Sequence, residues 1–200
     1  MSPHNADTSA HLLLVDDDRL VLATLAAGLQ QAGYRGSTVD AAEDAEDLVA
    51  SGERPELAIL DVRLSGQNGL HLAKRLHELD HIPFMMFSAY SDQTMVDQAS
   101  RSGALGYLVK PLDIPQLVPA IEAALARANE LHDLRVGRQQ LQATLDAERN
   151  VSIAVGITMM QYHLKRREAF DLLRKSARSQ RCKLADLAIG IIQACETLKL

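Results

Sequence analysis

Between residues 11 and 125, short and wholly apolar runs alternate with amphipathic stretches, and this alternation leaves few folds open. Leu12-Leu13-Leu14-Val15, Leu57-Ala58-Ile59-Leu60 and residues 82–87 and 104–109 have the length and composition of strands, and 35–39 is a weaker one. Between them, residues 19–31 place Val21, Leu22, Leu25 and Leu29 at helical spacing, and Gly33 stops that helix. Residues 41–50, 68–79 and 92–101 read as further helices. Strands apolar along their whole length must be covered on both faces, which requires a parallel sheet with helices on either side. The expected fold is therefore α/β, a doubly wound five-stranded parallel sheet with its sites at the carboxyl ends of the strands.

The polar residues at those ends are a specific set. Strand one ends in Asp16-Asp17-Asp18, strand three at Asp61, strand four at Ser88 and strand five at Lys110-Pro111. In a parallel sheet all four groups meet at one edge. Clustered carboxylates repel one another and call for a cation, and a set of oxygen donors favours Mg²⁺. A lysine and a hydroxyl beside a metal-bound carboxylate suit a phosphoryl group transferred to it. An acidic triplet alone would as readily cap the following helix; its conjunction with Asp61, Ser88 and Lys110 argues for a site.

Val15-Asp16-Asp17-Asp18, Leu60-Asp61-Val62-Arg63-Leu64, Gly69-Leu70, Phe87-Ser88-Ala89 and Gly106-Tyr107-Leu108-Val109-Lys110-Pro111 resemble the receiver domain of two-component response regulators, over residues 11–125. The resemblance implies a flavodoxin-like receiver phosphorylated on Asp61 by a sensor histidine kinase. It further implies that Asp16 and Asp17 hold Mg²⁺ with Asp61 while Arg63 lends a backbone carbonyl. Lys110 would pair with the phosphoryl oxygens, Ser88 would donate a hydrogen bond to the phosphoryl group, and Tyr107 would be the aromatic that moves inward with Ser88. A cis Lys110–Pro111 peptide is also implied, since only X–Pro bonds tolerate cis cheaply. Ser65 stands where many receivers have proline, a departure expected to alter a loop and not the chemistry.

Beyond Pro115 the sequence turns into a long helical stretch, with Pro119 expected in its first turn. Leu117, Ile121, Ala124, Ala128 and Leu131 follow four-three spacing, the pattern of a coiled-coil seam. Leu134, Leu141 and Leu145 lie in another register, with Gly137 the place where helix continuity would fail. Residues 126–147 therefore read as a helical coiled-coil connector that pairs with a second chain, forming a homodimer when phosphorylated. A final receiver helix followed by a flexible linker is the alternative.

The overall charge of −5 conceals an asymmetry. Residues 1–130 carry 9 basic and 19 acidic side chains, whereas 131–200 carry 12 basic and 7 acidic ones, so the two halves suit different ligands. Three amphipathic helices are legible from Asp146 onward. The first passes through Ile153, Ile157 and Met160, the second carries Ala169, Phe170, Leu173 and Ala177, and the third carries Leu184, Leu187, Ala188, Ile191, Ile192 and Cys195. His163 reads as a turn residue. Residues 149–183 hold nine cations against Glu168 and Asp171. Lys165, Arg166 and Arg167 stand at a helix start, where the dipole favours anions, so phosphates facing them would lower the cost. Nothing in this half forms a catalytic constellation, and no enzyme activity is expected. Cys182 and Cys195, with no histidine near them in sequence, read as reduced thiols, not metal ligands.

Arg149-x3-Ile153-Ala154-Val155-Gly156-Ile157, Met159, Glu168-Ala169-Phe170-x2-Leu173-Arg174, Ala177-Arg178 and Lys183-Leu184-x3-Ala188 resemble the ANTAR output domain of transcription antitermination regulators, over about 148–197, within an output domain read as 148–200. Gln161 and His163 depart from a common arginine and a common glycine. The resemblance implies a three-helix domain that binds RNA stem–loops in nascent transcripts and acts on transcribing RNA polymerase indirectly. Ala154, Arg174, Ala177, Arg178 and Lys183 are the expected RNA contacts, the alanines by giving clearance and the cations by meeting phosphate or splayed bases. A DNA-binding response regulator is the alternative, although residues 185–193 are too apolar for a recognition helix. A protein-binding output is a third possibility. No run of eighteen apolar residues exists to span a membrane, and the polar residues 1–10 are expected to be disordered, so a cytoplasmic location is expected.

Overall fold

The computed structural model describes residues 9–65, 67–89, 92–111 and 113–197, and residues 1–8 of the expected disordered terminus lie outside this set. The chain divides into two compact units, residues 1–132 and 133–200.

The first unit begins with β1 (His11–Val15), α1 (Arg19–Gln31), β2 (Arg35–Val39), α2 (Ala42–Ala50) and β3 (Leu57–Leu60). A hairpin of β4 (Arg63–Leu64) and β5 (Gln67–Asn68) follows, then α3 (Gly69–Glu78), β6 (Phe84–Ser88), α4 (Gln93–Arg101), β7 (Tyr107–Val109) and the start of α5 (Ile114–Tyr162). The five long strands form a wholly parallel sheet in the order β2-β1-β3-β6-β7. That order reverses direction beside β1, which leaves a crevice at the carboxyl ends of β1 and β3.

The pleat sorts the central strands into two cores. Leu13, Val15, Ala58, Leu60, Phe84 and Met86 face one side, packed with Ala45 and Val49 of α2, Leu72 and Leu76 of α3 and Ala99 of α4. Their alternate neighbours Leu12, Leu14, Leu57, Ile59, Met85 and Phe87 face the other, packed with Leu22, Leu25 and Leu29 of α1 and Leu117, Ile121 and Ala124 of α5. Each fully buried leucine contributes about 1.5–3 kcal/mol. The runs lack alternation because both faces are dry. β2 is an edge strand and mostly exposed, and its composition is correspondingly weak.

In the receiver-like half the structure differs from the sequence reading in strand bounds and in the position of Pro119. The last strand is confined to Tyr107–Val109 and the fourth runs from Phe84 to Ser88. Pro119 sits past the first turn of α5, which begins at Ile114. The helix runs on through Gly137, as a continuous connector requires, and nothing lies near a would-be Cβ there. Further along α5, within the second unit, Leu134, Leu141 and Leu145 are all more than half exposed.

In the second unit the end of α5 packs with α6 (Arg166–Ser179) and α7 (Leu184–Thr197) around Ala154, Val155, Ala169, Leu173 and Ala188. Ile153 and Met160, read as part of the apolar face, are instead exposed at 41% and 82%. His163 makes the turn between α5 and α6 at φ 55, a conformation that glycine adopts freely and histidine at some cost. The backbone N–H of Lys165 donates to Glu168 at 2.9 Å, so an acidic side chain offsets the cations at the start of α6.

Glycine is required at one position beside the crevice. Gly69 opens α3, its N–H donates to the Val62 carbonyl, and a Cβ there would fall 1.8 Å from the carbonyl oxygen of Asp61. Gly69→Ala is expected to cost about 1–3 kcal/mol in urea unfolding, as overpacking does. Gly137→Ala meets nothing and should cost none; equal losses would contradict this packing.

Candidate phosphoacceptor site and nucleic-acid interface

The acidic triplet divides its work. Asp18 is the N-cap of α1, its carboxylate accepting from the N–H groups of Leu20 at 2.9 Å and Val21 at 3.3 Å. Capping, the plain alternative for the whole triplet, thus falls to Asp18 alone. Asp16, at the end of β1, is 3% exposed and turns into the crevice, and Asp61, just beyond β3, is 8% exposed. One oxygen of each is held by a backbone N–H two residues on, from Asp18 at 3.0 Å and from Arg63 at 3.2 Å.

The remaining oxygen of each carboxylate is bridged by the same ammonium. Lys110 Nζ donates to Asp16 Oδ2 at 2.5 Å and to Asp61 Oδ2 at 2.6 Å, and lies 5.3 Å from the centre of the Phe87 ring. Burial raises the Asp16 pKa above its ordinary value, against the lowering effect of its bond to Lys110. Burial alone would lower the Lys110 pKa, but the bonds and charges of both carboxylates outweigh it, and the net shift is upward.

Asp17 is exposed, and its Oδ2 accepts from Ser65 Oγ at 2.9 Å. Ligand atoms of Asp16, Asp17 and Asp61 lie within 4.8 Å of one another, so three carboxylates can hold one cation. The oxygen-only donor set fits a hard divalent ion. Ser88 closes β6 fully buried, its carbonyl accepting the N–H of Lys110 at 2.8 Å. Tyr107 opens β7, half-buried against the α2–α3–α4 side of the core. The Lys110–Pro111 peptide is cis, as the resemblance implied. Asp16, Asp17, Asp61 and Lys110 thus come together at one edge of the sheet. The Ser65 contact was not expected, since it joins residues 48 apart in sequence.

On the second unit the expected contacts part company. Arg174, Arg178 and Lys183 are exposed, and among the described residues no cation of 149–183 has an ion-pair partner. Ala154 and Ala177 are 0% and 4% exposed, so neither offers a surface to RNA. This corrects the sequence reading: the small side chains let α5, α6 and α7 approach one another, not a ligand. A cavity of about 400 Å³ that the sequence did not reveal lies against α5 and α6, lined by Val151, Ser152, Val155, Arg166, Arg167 and Phe170. Phe170, read as core, is 39% exposed there.

The bridging lysine gives a direct test of the crevice. Lys110→Met leaves two buried carboxylates without their cation, a loss of about 3 kcal/mol. Protonation relieves the repulsion, and the Asp16 pKa is already above 3.8. The native variant then binds more protons than the unfolded chain, so its deficit relative to wild type must narrow as pH falls. Thermal unfolding between neutral and acidic pH checks this; a deficit constant with pH would contradict it.

Comparison with known proteins agrees with this geometry. The family described as response regulator receiver domain matches residues 12–122, and the ANTAR domain matches residues 139–192. The transcriptional regulatory protein PdtaR of Mycobacterium tuberculosis is 28% identical over 197 residues, covering 98% of this chain and 95% of its own. The transcriptional regulatory protein PrrA of Mycobacterium bovis is 31% identical over 202 residues, covering 95% of this chain and 82% of its own. The chemotaxis response regulator CheY4 of Vibrio cholerae superimposes with a TM-score of 0.54 at 25% identity, covering 58% of this chain and 99% of its own. Both matched domains are regulatory modules, and among the described residues no helix is long and apolar enough to cross a membrane. The chain belongs to the response regulator family, as a receiver domain joined to an ANTAR domain, the RNA-binding output of transcription antiterminators.

Proposed function

We propose that Asp61 accepts a phosphoryl group from a sensor histidine kinase and that the phosphorylated chain captures stem–loops in nascent transcripts, keeping a terminator from forming. The observation that carries this reading is the pairing of an intact acidic crevice with an unpaired basic surface in one chain. In the transfer, an Asp61 carboxylate oxygen forms the bond to phosphorus as the bond to the donor imidazole nitrogen breaks. Asp16, Asp17, Asp61 and the Arg63 carbonyl would hold Mg²⁺. The bound ion would supply positive charge to offset the carboxylates and the phosphoryl oxygens.

The chain's own residues do the rest. Lys110 is already between Asp16 and Asp61, so its ammonium needs only a short shift to meet a new oxygen on Asp61. Ser88 and Tyr107 would report the change, since β6 and β7 pair here at Met86–Tyr107 and Ser88–Val109. We assign residues 11–125 to the receiver, 126–147 to the connector and 148–200 to the output domain. The exposed leucines of α5 support pairing of two phosphorylated chains along the connector, because a lone helix gains nothing from such a stripe. The protein then acts in the cytoplasm, where nascent transcripts are, and on RNA polymerase only through the RNA.

The RNA surface in this reading comprises Arg174, Arg178 and Lys183, with Phe170, Arg166 and Arg167 offering an apolar cavity edged by cations to an unstacked base. DNA recognition is disfavoured by α7, which has Asp186 and Glu196 but no cation. Arg174→Ala and Arg178→Ala are each expected to weaken hairpin-RNA binding while leaving circular dichroism unchanged. Each lost phosphate contact should flatten the salt dependence by a slope of about 0.7. Equal affinity of the wild type for duplex DNA and hairpin RNA would favour the DNA-binding alternative.

A further inference from the structure

We infer that Ser65 is a positioning residue that holds Asp17 ready for the divalent cation; the inference rests on the cation site proposed above. The three carboxylates are not supported equally. Asp16 and Asp61 are buried, and each has a backbone N–H on one oxygen and Lys110 on the other. Asp17 is exposed, and the one hydrogen bond its carboxylate accepts, among the described residues, comes from the Ser65 hydroxyl at 2.9 Å. Ser65 follows β4, in the hairpin that begins two residues after Asp61, so one short segment supplies both a ligand and the support for another.

The bond engages Oδ2 and leaves Oδ1 of Asp17 for the ion. Without it an exposed aspartate samples several rotamers, and binding must select one of them. Partners that orient a ligand typically contribute 10–100-fold in metal affinity. The lower end applies here because water competes for an exposed oxygen. A proline at this position, which many receivers carry, has neither a hydroxyl nor an N–H to give. The departure at Ser65 therefore bears on the chemistry and not only on a loop.

The test is calorimetric titration of the full-length, unphosphorylated chain with MgCl₂. Ser65→Ala and Ser65→Pro should each weaken Mg²⁺ binding about tenfold, while Ser65→Thr, which keeps a hydroxyl, stays near wild type. Thermal unfolding in EDTA should be the same for wild type, Ser65→Ala and Ser65→Thr, which separates positioning from a loss of fold. In an Asp17→Asn background Ser65→Ala should have no further effect. Mg²⁺ affinity of Ser65→Ala equal to or tighter than wild type would overturn the inference and leave the cation site standing. A wild type that takes up no Mg²⁺ would overturn both.

Discussion

One ammonium group holds the crevice together. Asp16 and Asp61 come from adjacent parallel strands, both are buried, and two carboxylates this close repel unless a cation lies between them. Lys110 is that cation, brought from the far edge of the sheet by β7. The arrangement satisfies electrostatics with a group that can move. A lysine on a flexible stem can leave Asp61 for a phosphoryl oxygen while a divalent ion takes over the carboxylates. The charge that stabilises the resting site is thus the same charge that a phosphorylated Asp61 would use.

The other structural constraint is α5. Its early residues Leu117, Ile121 and Ala124 are part of the receiver core, and its late residues Ala154 and Val155 are part of the core of the second unit. Neither unit is complete without its share of this helix. The second unit buries few large apolar side chains and builds its core around three alanines, which leaves it a small reserve of stability. Leu134, Leu141 and Leu145, along the same helix, are exposed.

The sequence revealed what depends on full burial and on strand ends. β1, β3 and β6 are buried on both faces and were legible as unbroken apolar runs. Asp16, Asp61, Ser88 and Lys110 were legible because a parallel sheet places its carboxyl ends together. The β4–β5 hairpin was not, since two-residue strands have no period to read. Ser65 was missed because its partner is distant in sequence, and a loop position gives no local sign of what its hydroxyl meets. Ala154 and Ala177 were misread because a small side chain serves equally to admit a ligand or a neighbouring helix, and only packing decides between them. The exposure of Phe170 was hidden for the converse reason, since a spacing that predicts an inward face says nothing of how far a short helix covers it.

The central claim is that chemistry at Asp61 governs RNA capture by the basic surface. Its most direct test is the affinity of the full chain for hairpin RNA, with and without a small phosphodonor and Mg²⁺, in wild type and in Asp61→Asn. The account predicts that the phosphodonor tightens binding by wild type and leaves the Asp61→Asn protein unchanged. The same RNA affinity in all four conditions, with phosphorylation of wild type verified by intact mass, would contradict it.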